Sequence, residues 1–235
     1  LKYNSKSVNK IILALDTTNL DKAIDITQRI KNKIFTVKLG LEFFNAHGKE
    51  GVKKFNEIGI TNLMLDLKLK DIPETVYKAI KALDGIKFGF LTIHGQGGKL
   101  MIEKAKKAAG EIKSQPKIMM VTVLTALTDD DLKAMGSNNT TFEQVEKLAK
   151  IAKEMNVGVI CSGHETKTVR KIIGPDLLIF TPGIRMNNDN KDDQQRICTP
   201  IESIKNGSDK IIMGRSLIRG TIEENLNRVI DSLKI

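Results

Sequence analysis

The stretch LMLDLKLKDIP, from Leu63 to Pro73, sets Asp66, Lys68 and Asp71 close together, and TVKLG supplies a further ammonium at Lys38. Two carboxylates and two ammonium groups gathered in one place are a set of charges that could serve a catalytic site. Each residue also has a plainer explanation. Asp71 followed by Glu74 spells a helix N-cap with a capping box, and Pro73 falls in the first turn, where its missing N–H is harmless. Lys38 could run its stem along an apolar wall to water, and Asp66 with Lys68 could be a neutralising ion pair. Together they are harder to explain that way, because four charges at one site are costly to desolvate and such clusters mark functional positions.

These residues need a scaffold that brings distant strand ends together. Leu63, Leu65 and Leu67 share one face of a period-2 strand, so Asp66 and Lys68 point to the other. Apolar, β-branched runs recur along the chain: KIILALD, IFTVKLG, NLMLDLK, FGFLTIHG, KIMMVTVLT, VGVICSG, LLIFTPG and KIIMGRS. Segments of helical periodicity such as TVYKAIKALDG and TFEQVEKLAKIAKEM lie between them. This alternation predicts an α/β fold, a (β/α)8 TIM barrel in a single domain over residues 10–235, with residues 1–9 as a flexible N-terminal extension. Asp16, Lys38, Asp66, Lys68, His94, Thr125, Ser162, Thr181 and Arg215 fall at the C-terminal ends of the predicted strands, the end of a barrel that carries active sites. An open doubly wound sheet is the competing architecture, but no G-x-G-x-x-G follows the first strand.

Composition narrows the classes. The chain has 235 residues, 40% of them hydrophobic, enough for one large core. No apolar run is long enough to span a bilayer, and LKYNSKSVNK has no apolar signal segment, so a soluble cytoplasmic protein is expected. The formal charge of +10 is spread through predicted helices, and aromatics make up 4%, too few for base-stacking platforms. A nucleic-acid partner is therefore not expected. Cys161 and Cys198 have no metal-ligand spacing and are expected to be reduced and structural. His47, His94 and His164 stand apart from one another, and His94 is expected to be a hydrogen-bonded structural histidine.

LDLKLKDIPET resembles the D-x-K-x-x-D-I-P-x-T signature of the orotidine 5'-monophosphate decarboxylase family, in its bacterial-type, single-function form. The similarity continues, in the family's order, through LALD, VKLG, TIHGQGG, VTVLT, CSGHE, TPGIR, DDQQRICTP and GRSL. It implies decarboxylation of orotidine 5'-monophosphate to UMP and CO2, the last step of de novo pyrimidine nucleotide synthesis, with no cofactor and no metal. It also implies roles residue by residue. Lys38, Asp66, Lys68 and Asp71 match the catalytic network, and Lys68 is the cation that stabilises and protonates C6. Asp16 matches the ribose-binding aspartate, Thr125 the hydroxyl residue facing the pyrimidine, and Gln194 the lid glutamine spanning base and phosphate. Pro182, Gly214 and Arg215 fall in the substrate-binding motifs TPG and GRS, with Arg215 matching the phosphate-binding arginine. Asp71, Ile72 and Thr75 match residues that a homodimer contributes to the partner chain's site.

The sequence departs from the family at Glu74, Ala126, Lys191 and Asp192, none of which is a catalytic position. Relatives that decarboxylate or cleave sugar phosphates through a magnesium-bound enediolate share residues matching Asp66, Lys68 and Asp71. They typically have Glu where this chain has Lys38, and an ammonium there repels a hard cation. A magnesium-dependent enzyme of that kind and a non-catalytic nucleotide- or RNA-binding barrel are the alternatives. The polar stretch TPGIRMNNDNKDDQQR, after the seventh strand, has the length and composition of a lid that phosphate binding could close.

Overall fold

The computed structural model describes residues 9–34, 36–186 and 198–234. Eight parallel strands close into a barrel in sequence order. They are β1 (Ile11–Leu15), β2 (Thr36–Gly40), β3 (Leu63–Leu69), β4 (Phe90–His94), β5 (Lys117–Val121), β6 (Gly158–Ile160), β7 (Ile179–Thr181) and β8 (Lys210–Met213). Helices α1 (Leu20–Ile30), α2 (Leu41–Glu57), α3 (Pro73–Lys81) and α4 (Lys99–Glu111) follow the first four strands. Short α5 (Asp129–Ala134) and long α6 (Thr141–Met155) follow β5, and α7 (Thr166–Ile173) follows β6. After β7 comes α8 (Pro200–Lys205), and β8 is followed by α9 (Arg215–Ile218) and α10 (Ile222–Ser232). The TIM-barrel expectation is met, and the described residues divide into no second domain.

Period-2 patterning decides which side chains face where. Ile11, Leu13, Leu15, Val37, Leu39, Leu63 and Leu65 pack outward against the helices in the larger apolar cluster. Each such burial contributes about 1.5–3 kcal/mol. Ile12, Ala14, Met64, Phe90, Met119, Phe180 and Ile212 form a separate cluster inside the barrel. Phe90 and Phe180 meet edge to face, with ring centroids 4.9 Å apart. The barrel interior is therefore filled by apolar side chains, and its polar residues lie above them at the strand ends.

The helices begin where the sequence offers caps. The side-chain oxygen of Asn19 accepts from the Lys22 N–H at 2.8 Å to start α1, and Thr140 with Glu143 forms a capping box at α6. One helix is interrupted: α2 leaves helical geometry at Gly48, whose φ of 55° is left-handed. Just before that break, His47 Nε2 donates to the Thr18 carbonyl at 2.7 Å. At the opposite end of the barrel Asn9 is tied down, its side-chain oxygen accepting from Lys210 Nζ at 2.8 Å.

Candidate active site

The register of β1, β2 and β3 sets the first charged groups. Ala14 lies beside Lys38, and Gly40 lies beside Asp66. Small residues at Ala14 and Gly40 leave space into which long polar side chains can reach. A Cβ on Gly40 would sit 2.8 Å from Asp16 Oδ1 and 3.1 Å from Lys38 Nζ, so glycine is what lets that carboxylate and ammonium meet. Lys38 Nζ lies 3.2 Å from Asp16 Oδ1 and 3.1 Å from Asp66 Oδ2, and Lys68 Nζ reaches the same Asp66 oxygen at 2.9 Å. The result is a chain of alternating charge: Asp16, Lys38, Asp66, Lys68.

Two of these groups are nearly cut off from water, Lys38 at 8% exposure and Asp66 at 7%. Burial alone would drive the proton from Lys38, but the Asp66 and Asp16 carboxylates outweigh it and hold the ammonium above the ordinary lysine range. Burial likewise opposes ionisation of Asp66, and the Lys38 and Lys68 cations overcome it, holding this carboxyl below the usual carboxylate range. The interior of the network is thus a fixed ion set at neutral pH.

Lys68 occupies an unusual backbone position. Its φ is +47°, left-handed for a residue with a Cβ, and the β3 to β4 register shifts between Leu65 and Leu69. Such a conformation costs a non-glycine residue about 1–2 kcal/mol and persists where the surroundings enforce it. Here it accompanies an ammonium aimed into the barrel mouth.

A cavity of about 270 Å³ opens over this network. Of the residues singled out in the sequence, Asp16, Lys38, Asp66 and Lys68 line it together with Thr125, Pro182, Gly214 and Arg215. Thr125 reaches it from the loop beyond β5, which ends at Val121, rather than from the strand itself. Val121, Leu124 and Ile160 give one wall an apolar surface. Asp71, Ile72 and Thr75 do not line the cavity, and all three are exposed. The capping box suggested for Asp71 and Glu74 is not formed: Asp71 Oδ1 accepts from the adjoining Ile72 N–H at 2.7 Å, Glu74 pairs with Lys104 at 3.1 Å, and the N-cap of α3 is Ile72. Gln194 lies outside the described residues, as does most of the expected lid.

One lining residue escaped the sequence reading. Arg185, 7% exposed, follows the TPG turn after β7 and borders the cavity with Arg215. Its Nη1 donates to the Ile184 carbonyl at 3.0 Å. A buried arginine beside a cavity is a strong anion-binding element, but in the sequence it reads as one more basic residue in a polar loop. His94 also differs from expectation: its ring is partly buried and Nδ1 has no hydrogen-bond partner among the described residues. Burial, with Lys70 and Lys68 nearby, holds its pKa below the ordinary histidine value. Cys161 and Cys198 are both free thiols, and burial beside Glu202 pushes Cys198 up to about 11. Among the described residues no cluster of His, Cys, Asp and Glu has the form of a metal site, and no helix is long and apolar enough to cross a membrane.

The chain was compared with known proteins. The family model described as "Orotidine 5'-phosphate decarboxylase / HUMPS family" matches residues 9–223. A protein named orotidine 5'-phosphate decarboxylase from Sphingopyxis alaskensis is 39% identical over 223 residues, covering 94% of this chain and 97% of its own length. One of the same name from Wolbachia pipientis is 42% identical over 211 residues, covering 89% and 92%. The crystal structure of orotidine 5'-phosphate decarboxylase from Lactobacillus acidophilus superposes with a TM-score of 0.83 at 33% identity, covering 97% of this chain and all of that one. With the barrel, the strand-end charge network and these likenesses in agreement along nearly the whole length, the chain belongs to the orotidine 5'-phosphate decarboxylase / HUMPS family.

Proposed function

We propose that this protein is an orotidine-5'-phosphate decarboxylase, a carboxy-lyase that converts orotidine 5'-monophosphate to UMP and CO2 in pyrimidine nucleotide synthesis. The observation that carries the reading is Lys68 Nζ held 2.9 Å from Asp66 Oδ2 at the mouth of the barrel, with Asp66 in turn neutralising Lys38 at 3.1 Å. Breaking the bond between C6 and the carboxylate carbon leaves the electron pair in an sp² orbital in the ring plane, where the ring π system cannot delocalise it. A preorganised cation beside C6 stabilises that charge. Lys68 is that cation, and one of its N–H protons then passes to C6 to give UMP. The neutral amine is then reprotonated from solvent, its nitrogen still beside Asp66 Oδ2.

The lining supports the remaining assignments. Asp16 is assigned to the ribose hydroxyls, Thr125 and Pro182 to the base, and Arg215, Gly214 and Arg185 to the 5'-phosphate. Gln194 is assigned to the base and phosphate by motif alone. Phosphate binding, far from the reacting carbon, then contributes energy to assembling the site. No cofactor is required by this chemistry. The Lys38 ammonium lies between Asp16 and Asp66 and would repel a divalent cation from the position where a magnesium-dependent relative carries Glu.

The working unit is a homodimer with shared sites. Asp71 makes no ion pair among the described residues and does not line the cavity, and Ile72 is 68% exposed, which supports a role for both in a partner chain's site. Leu41 and Leu100 are also exposed, at the starts of α2 and α4 on either side of α3, and give this rim the apolar surface that a partner would cover. Through a two-fold axis each chain offers Asp71, Ile72 and Thr75 to its partner. The decarboxylase domain is assigned to residues 10–235, in a cytoplasmic enzyme.

The test is to add orotidine 5'-monophosphate to the purified protein in excess EDTA and follow ultraviolet absorbance. Conversion to UMP is the expected result. No conversion under EDTA, with magnesium restoring activity on a hexulose or gulonate phosphate, would overturn the reading.

A further inference from the structure

The backbone of Lys68 and the side chain of Asp66 are held by one shared group. The Lys68 N–H, turned out of the strand ladder where the register breaks, donates to Thr92 Oγ1 at 2.8 Å. The same hydroxyl donates its own hydrogen to Asp66 Oδ1 at 3.0 Å. A hydroxyl has one hydrogen and two lone pairs, so these two bonds are mutually consistent in direction. Asp66 is then held at both oxygens: Oδ2 by the Lys38 and Lys68 ammoniums and Oδ1 by Thr92. Thr92 is in β4 with 0% exposure and does not line the cavity, so it can act on the reaction only through its neighbours.

We propose that Thr92 is a positioning residue for decarboxylation, its hydroxyl locking the left-handed backbone of Lys68 and the plane of the Asp66 carboxylate so that the Lys68 ammonium points at the reacting carbon. This rests on the role given to Lys68 above. Without the hydroxyl, the Lys68 N–H has no buried acceptor and the carboxylate can turn about its last torsion. The ammonium then loses its fixed direction while its charge remains. Preorganised donors lose effect when their placement relaxes, so the deficit falls on the charge-developing step more than on ground-state binding.

The test compares Thr92→Val, which keeps shape and β-branching, with Thr92→Ser, which keeps the hydroxyl, and uses Lys68→Ala as control. Loss of a hydrogen bond to a charged group implies a fall in kcat of about 10- to 100-fold for Thr92→Val. The affinity for UMP should change by less than about threefold. A nucleotide bearing an oxyanion at C6, which mimics the developing charge, should bind weaker by about the same factor as kcat falls. Thr92→Ser should recover most of both losses. Should Thr92→Val not fold, amide hydrogen exchange in the unaltered protein decides: the Lys68 N–H is expected to be strongly protected, and to stay so in Thr92→Ser. A kcat for Thr92→Val within about twofold of the original while Lys68→Ala is inactive would overturn the role of Thr92 alone. Equal weakening of UMP and the C6 oxyanion would overturn it too, marking the residue as structural, as would a rapidly exchanging Lys68 amide. Near-normal kcat in Lys68→Ala would instead remove the lysine's role, and the inference with it.

Discussion

Asp66→Asn keeps the size of the side chain and removes one negative charge from between two ammoniums at 3.1 and 2.9 Å. At an effective dielectric of about 20, each pair represents about 5 kcal/mol of gross attraction, most of it consumed by desolvating the partners. Breaking such a buried arrangement from one side costs about 3–5 kcal/mol, because the charge left behind remains out of water. Lys38 bears most of this loss. Lys68 is more open to solvent, and Asp16, the other partner of Lys38, is exposed enough for water to screen it. A domain of this size loses about 2–4 °C of melting temperature per kcal/mol, so thermal unfolding at pH 7, followed by circular dichroism, should begin about 6–20 °C lower.

Adding Lys38→Met to Asp66→Asn removes the stranded ammonium as well, and the double variant should recover several degrees. Both variants should be nearly inactive, so the stability measurement separates the network's cost from its chemistry. A fall of less than about 3 °C for Asp66→Asn, or a double variant no more stable than the single one, would refute the reasoning that Lys38 depends on Asp66 for its charge.

The Asp66 carboxyl, held below its ordinary range, contributes stability that is present above about pH 3.9 and lost as pH falls through the depressed value. Lys38, held above its ordinary range, contributes stability that is full below about pH 10.4 and lost only as pH rises through the raised value. The urea midpoints of the unaltered protein and Asp66→Asn should therefore differ by a constant amount from about pH 5 to 8 and converge below about pH 4; convergence already at pH 6 would contradict this. Arg185→Ala and Arg215→Ala should each raise KM about 10- to 100-fold if both grip the phosphate, and should leave the weak turnover of orotidine lacking the phosphate unaltered. An equal loss on both substrates would place these arginines elsewhere. If the sites are shared across a homodimer, Lys68→Ala and Asp71→Ala, each inactive alone, should regain activity when unfolded and refolded together, because a mixed dimer would have one site with neither substitution; random pairing would leave about a quarter of all sites intact. Mixed dimers shown by mass but without activity would mean that Asp71 serves its own chain.

The parts of this architecture that follow from alternation were legible in the residues. Leu63, Leu65 and Leu67 could satisfy a half-buried strand only if Asp66 and Lys68 faced the other way, and the barrel places that other side at the mouth. The same logic brought Asp16, Lys38 and Arg215 to that end, although Lys38 lies within β2 and Arg215 opens α9 just after β8. What escaped depends on distances between strands. Arg185 stands in a run of loop residues, and only the path of the chain after β7 shows it to be buried at the cavity. Thr92 is an ordinary β-branched strand residue until the register of β3 against β4 sets its hydroxyl under Lys68.

Asp71 marks a different limit, since local pattern argued for a helix cap and the chain does not use it as one. Its carboxylate reaches no further than the next residue's N–H. A carboxylate spent on neither a cap nor an ion pair would contribute little to the stability of a monomer, while an exposed Ile72 beside it exposes apolar surface to water. The two make sense as one device if the apolar residue fastens the partner chain and the charged one enters its site. Association would then bring the second carboxylate to Lys68 only when the dimer has formed, and in that sense the chemistry would belong to the dimer.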